Sequence, residues 1–238
     1  MNELTTNIIL FAAAFLSGLA VVIFKLQFSK NLKLLISFSG AFILAICVLH
    51  LMPEIFRDYD QKIGVFILIG FVIQLLLEFF SNGIEHGHFH SHSKDLALFP
   101  YAIFISLCLH SFIEGMALIE GTHHHHHDHS GSLLVGIVIH KIPIGIVLST
   151  MILSKNISKV TFIIALTIFA ASAPLGLYLA SHHLLPFIEN SRIILALAVG
   201  IFLHISTTIL FESSEGHKFD LKKFAIIVIG FVLAIITL

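Results

Sequence analysis

Long apolar runs separated by short polar breaks dominate this chain. Two of the runs carry ionisable residues at their centres: His110-Ser111-Phe112-Ile113-Glu114-Gly115 and His140-Lys141-Ile142-Pro143-Ile144-Gly145. An apolar run of roughly 17–25 residues is long enough to cross the hydrocarbon core of a bilayer as a helix. Eight such runs are predicted, at about residues 5–24, 34–52, 62–81, 97–119, 132–153, 158–180, 190–211 and 222–238. Their connections are short, which predicts an all-α polytopic membrane protein: eight transmembrane helices in one compact bundle, forming a single domain over residues 1–238.

Composition agrees with that pattern. Apolar residues make up 57% of the chain, charged residues 11%, and the mean hydropathy is +1.01, far from a soluble domain. The net charge of −1 gives no basic surface for nucleic acid. Cys47 and Cys108 both fall within apolar runs and read as small core hydrophobes. Residues 1–7 contain Glu3 and no Lys or Arg, so a cleavable signal peptide is not expected.

Basic residues set the expected orientation. With the N-terminus outside, the inner connections hold Lys25, Lys30, Lys33, Lys94, Lys155, Lys159, Lys218, Lys222 and Lys223, and the outer ones hold Arg57, Lys62 and Arg192. Both termini are therefore expected outside, with the cell membrane as the location. A short echo relates Gly40-Ala41-Phe42-Ile43-Leu44…Glu54 to Gly200-Ile201-Phe202-Leu203-His204…Glu212 on spans of opposite direction. It is consistent with the inverted-repeat architecture of many transporters, although two apolar helices also match by chance.

An ionisable side chain at membrane depth costs several kcal/mol unless something compensates it, so it marks a functional site. His110 and Glu114 are four residues apart and share a helix face. Gly115 permits a close helix neighbour. His140 precedes Pro143 by three residues; proline cannot donate to the Ile139 carbonyl, which predicts a bend aiming His140 across at His110 and Glu114. Two imidazoles and a carboxylate suit a borderline-soft divalent cation such as zinc. Taken singly, each residue has an alternative: an interhelical hydrogen bond for either histidine, and an ion pair between Glu114 and Lys141. Taken together, the three favour metal ligation, with an open fourth position.

These motifs resemble the ZIP family of divalent-metal transporters. That family's fourth span reads His-Asn-x-x-Asp/Glu-Gly, matched by His110, Ser111, Glu114 and Gly115 with Ser in place of Asn. Its fifth reads His-Glu-x-Pro-Glu/His-Gly, matched by His140, Pro143 and Gly145, with Lys141 and Ile144 departing. His50-Leu51-Met52-Pro53-Glu54 is similar to its His-Leu-Leu-Pro-Glu, and Ala173-Pro174-Leu175-Gly176 and Gly200 to His204 fall where family patterns are expected. The resemblance implies a first metal site at His110, Glu114 and His140 plus a bridging side chain at position 144, which Ile144 cannot supply. It implies a second at positions 111, 141, 144 and 173, which here are Ser111, Lys141, Ile144 and Ala173. Every carboxylate of the second site is missing, so one metal site is expected. The Lys141 ammonium either occupies the second position and pairs with Glu114, or faces away and snorkels.

His123-His124-His125-His126-His127-Asp128-His129 lies in the predicted outer connection and reads as a low-complexity, metal-collecting tract at an entrance. His86, His88, His90 and His92, in the inner connection, read as a loop that accepts or senses departing ions, with a solvated loop as the alternative. His50 and Glu54 line a candidate entrance. His204 is a candidate transit ligand or a core hydrogen-bonding residue, and Glu78 reads as an interfacial charge, with an exit ligand as the alternative.

The expected function is import of a divalent ion, most plainly Zn2+, as transported substrate with no catalytic cofactor. The expected partners are that ion and the lipid bilayer, with a homodimer open as an assembly. No GxxxxGK[ST] motif is present to couple nucleotide hydrolysis. Two alternatives stand: a metal-binding protein that senses or scaffolds without transport, and an intramembrane metallohydrolase. The last lacks a second carboxylate on the central spans and any HExxH motif, so no enzymatic activity is expected.

Overall fold

The computed structural model describes residues 2–26, 30–57, 61–81, 100–122, 130–155, 157–184, 191–211 and 220–238. The regular structure among those residues is all helical, with no strand. The helices are α1 (Glu3–Phe24), α2 (Lys30–Ile46), α3 (Met52–Ile55), α4 (Gln61–Ser81), α5 (Tyr101–Met116), α6 (Ser130–Leu153), α7 (Lys159–Ser181), α8 (Ser191–Phe211) and α9 (Leu221–Thr237). Among the described residues, seven stretches are long and apolar enough to cross a membrane, α2 and α3 counting as one continuous stretch of Asn31–Ile55. The remaining helix, α9, has 17 residues. The protein is an integral membrane protein of the all-helical, polytopic kind.

Local chemistry explains where the helices begin and how two of them deviate. The Asn2 side chain accepts from the Thr5 amide, Ser158 from the Thr161 amide, and Asp220 from the amides of Lys222 and Lys223, which are N-cap bonds at α1, α7 and α9. Between α2 and α3 the chain widens into a π turn at Cys47–Leu51, closed by the Met52 amide on the Cys47 carbonyl. Pro53 follows directly; its missing N–H and its ring exclude the ordinary bond to Leu49. The predicted second span is therefore not one uniform α-helix. α5 ends at Met116 and continues as a 3-10 turn, Ala117–Thr122. Around Pro143, by contrast, α6 remains a continuous helix.

The faces are arranged for lipid. Leu68, Phe79, Val160 and Ile236 are more than half exposed, as are many other large apolar residues, whereas His110, Ser111, Glu114, His140 and Lys141 are buried to 1% exposure. Most span hydroxyls bond a carbonyl of their own helix: Thr150 to Ile146, Ser172 to Ile168, Thr207 to Leu203 and Thr208 to His204. Such back-bonding satisfies a hydroxyl where no water is available.

Two groups of helices result. α1, α5, α6 and α7 pack together, as do α2, α4, α8 and α9, and the groups meet along α2 with α6 and α4 with α5. The tightest pairs are made by reciprocal glycines. A Cβ on Gly115 would run into the Ala173 carbonyl, and one on Gly176 into the Phe112 carbonyl, so α5 and α7 touch backbone to backbone. Gly70 and Gly200 do the same for α4 and α8. Close approach through small residues is how membrane helices gain packing energy without a hydrophobic drive.

Gly115→Val should accordingly separate α5 from α7 and destabilise the protein by about 1–3 kcal/mol or more. Gly64→Ala, where an added Cβ meets nothing within 4 Å, should leave the unfolding midpoint unchanged or slightly raised. Thermal unfolding of the two purified variants in detergent checks the contrast, and equal midpoints would contradict it.

Candidate metal site

The site begins with helix periodicity. His110 and Glu114 lie one turn apart on α5, and the Glu114 Oε1 atom sits 3.2 Å from His110 Nε2. The close contact of Gly115 with α7 holds this stretch of α5 in the interior. From α6, His140 directs its Nε2 to within 3.9 Å of the same Oε1. The two imidazole rings stand nearly perpendicular, at 85°, with centroids 5.8 Å apart. One donor atom from each of the three residues lies within 4.8 Å of the others.

Those separations have a chemical meaning. Ligands on a tetrahedral zinc ion at about 2.0–2.2 Å stand roughly 3.3 Å from one another. The pairs at 3.2 Å and 3.9 Å lie within 1 Å of that separation, and all three donors fall within 4.8 Å of one another. Three donors leave a fourth position for water or a passing ligand.

Lys141, beside His140 on α6, points inward. Its Nζ donates to Ser111 Oγ at 2.7 Å and to Glu114 Oε2 at 2.7 Å, and lies 6.0 Å from the centre of the Phe169 ring. A charge-assisted bond of that length is strong, and an ammonium over an aromatic face adds a further attraction. The snorkelling alternative for Lys141 is thereby excluded. Glu114 is divided: Oε2 belongs to the ammonium and Oε1 faces the imidazoles.

The other residues singled out from the sequence are dispersed. Ile144 is buried and belongs to an apolar cluster that draws residues from both helix groups, Leu107 and Leu148 from the first and Ile36 and Ile201 from the second. Ala173 is fully buried, its carbonyl against Gly115. His50 sits half-buried in the π turn. Glu54 pairs with Arg57 one turn on. His204 Nε2 lies 3.4 Å from Glu78 Oε2, with Phe71 edge-on to its ring, so the two residues read separately in the sequence form one pair between α4 and α8. His86, His88, His90 and His92, and the tract from His123 to His129, lie outside the described residues.

Ser39 joins the site without having been singled out. Its Oγ stands 3.2 Å from His140 Nδ1. The available signal was a serine inside an apolar run, and Ser37 two residues earlier carries the same signal while its hydroxyl bonds the Lys33 carbonyl.

Comparison with known proteins gives a consistent result. The family model described as ZIP Zinc transporter matches residues 85–237, more than half the chain. Zinc transporter ZIP1 of Danio rerio is 24% identical over 82% of this chain and 80% of its own. Zinc transporter ZIP1 of Plasmodium falciparum is 26% identical over 79% and 73%. Zinc transporter ZIP9-B of Xenopus laevis is 25% identical over 67% and 56%.

Because Lys141 neutralises a buried carboxylate, Lys141→Met should cost the metal-free protein about 3–5 kcal/mol, the usual penalty for stranding one member of a buried ion pair. A bound cation would supply the missing charge. Zn2+ is thus expected to raise the unfolding midpoint of Lys141→Met more than that of the unaltered protein. Unfolding with Zn2+ and with a chelator tests this, and an equal Zn2+ response in both proteins would contradict it.

Proposed function

Since this chain belongs to the ZIP zinc transporter family, we propose that it imports a divalent cation, Zn2+ foremost, through one site formed by His110, Glu114 and His140. The carrying observation is the convergence of those three buried donors from α5 and α6. Imidazole nitrogen in two of three positions favours zinc and its neighbours over magnesium or calcium. In this reading Lys141 stands where the family's pattern implies a second metal, so Ser111, Lys141, Ile144 and Ala173 hold no second ion. The histidine tract at 123–129 collects ions for entry, the histidines at 86–92 accept or sense departing ions, and His50 and Glu54 line the entrance.

The architecture that goes with this reading is a single domain of eight spans, α9 being the last, with both termini outside at the plasma membrane. Seventeen residues lie at the short end of what crosses a bilayer. Support for an inverted repeat comes from the sequence echo, whose apolar segments fall on α2 and α8, two helices that pack against one another. Access to the site alternates between the two faces as the helices rearrange.

Charge supplies the direction. With both imidazoles neutral, the empty site holds Glu114 and Lys141 and sums to zero, while the loaded site carries the two charges of the ion. An inside-negative potential then acts on the loaded step, at about 2.3 kcal/mol per charge per 100 mV if the full field is crossed, and leaves the empty return unopposed. Hydrolysis is not favoured, because the single carboxylate of the cluster is already bonded to Lys141.

Proteoliposomes containing the protein should take up labelled Zn2+, faster when potassium and valinomycin set the interior negative. His140→Ala and Glu114→Ala should lower the rate at least tenfold. Absence of uptake at high protein load would reject transport, and uptake indifferent to potential would reject the charge balance.

A further inference from the structure

We propose that Ser39 is a positioning residue for His140, fixing the imidazole tautomer that presents Nε2 as an electron-pair donor to the ion. The proposal rests on the reading of His110, Glu114 and His140 as the ion site, and adds to it a residue from the other helix group.

Ser39 is fully buried on α2, and α2 meets α6 where the two helix groups join. Its Oγ lies 2.8 Å from the Ile36 carbonyl and 3.2 Å from His140 Nδ1. A hydroxyl has one proton and two lone pairs, whereas a carbonyl only accepts. The shorter contact has the usual length of an O–H···O bond and the longer that of an N–H···O bond. The Ser39 proton therefore goes to Ile36, and His140 Nδ1 carries the proton that the serine oxygen accepts. A neutral imidazole protonated at Nδ1 has its lone pair on Nε2. That is the atom facing Glu114 Oε1 across 3.9 Å.

The opposite tautomer fits worse. It would aim an N–H at Oε1 across a gap too long for a hydrogen bond. In the assigned tautomer, two electron-pair donors face one another, an arrangement that a cation between them makes favourable. Ser39 differs in this from Ser37, whose hydroxyl bonds the Lys33 carbonyl of its own helix. A partner holding the distal nitrogen of a ligating histidine sets both its tautomer and its ring orientation.

The test uses the full chain in lipid nanodiscs and Co2+ as the probe ion, read by titration and by the visible absorption of the bound metal. Ser39→Ala should weaken Co2+ binding by about 10–100-fold and shift the absorption bands of whatever Co2+ still binds. Ser39→Thr, which keeps the hydroxyl, and Ser37→Ala, which deletes a buried hydroxyl of the same helix, should bind as the unaltered protein does. Metal-free unfolding midpoints of Ser39→Ala and Ser37→Ala should agree, separating positioning from a general effect on α2. Wild-type affinity in Ser39→Ala, with binding lost in His140→Ala, would overturn the role of Ser39 alone. A loss in Ser39→Ala matched by Ser37→Ala, or not restored by Ser39→Thr, would also overturn it. If His140→Ala binds Co2+ as the unaltered protein does, it is the ion site itself that fails.

Discussion

The division of one carboxylate between two neighbours organises the centre of this protein. Glu114 gives Oε2 to the Lys141 ammonium and turns Oε1 toward two imidazoles. An uncompensated charge at this depth would cost several kcal/mol. The ammonium offsets it, so the carboxylate is compensated by the chain's own charge. The same bond ties α5 to α6, and Ser111 shares the ammonium from the α5 side. The apolar outward faces and the glycine contact between α5 and α7 serve this arrangement, because they keep water and lipid away from a cluster that has to be dry and yet polar.

On the proposed reading, this division sets what kind of binding site results. A carboxylate already bonded at one oxygen can ligate only through the other, so the ion would meet two nitrogens, one oxygen and an open position. A two-metal centre gains charge balance from additional acidic ligands; here a fixed ammonium substitutes for the second ion and repels the first. Both effects weaken retention. For a carrier that must release its cargo, weak retention is useful, since tight binding would slow the exit step.

Much of the architecture was legible because it follows from periodic and compositional constraints. Runs of apolar residues gave the helices nearly to their ends, and the four-residue spacing of His110 and Glu114 gave their common face. Other features depend on how helices meet, and no local pattern encodes that. The direction of Lys141 was open between pairing and snorkelling until its bonds to Ser111 and Glu114 of α5 were known. Glu78 and His204 looked like an interfacial charge and a lone span histidine, but they stand 3.4 Å apart across the α4 and α8 interface. Ser39 could not be told from Ser37, because the two differ only in which side of α2 faces α6. The π turn at Cys47–Leu51 is intermediate: Pro53 announced a disturbance without saying that the backbone would absorb it by widening.

Polar contacts between helices separate into two kinds by what they cost. Near the helix ends, Ser132 bonds the Thr237 carbonyl and Lys223 the Ile209 carbonyl, where water lies close and a positive group at a helix C-terminus is stabilised by the backbone dipole. Glu78, about a quarter exposed, keeps part of its hydration, so its pairing with His204 is affordable as a structural bridge. The cluster of Ser39, His110, Ser111, Glu114, His140 and Lys141 has neither excuse. All six side chains are buried, two carry formal charge, and apolar residues of similar volume would pack at comparable or lower cost. Stability does not account for such a set, whereas on the proposed reading the holding and release of a cation does.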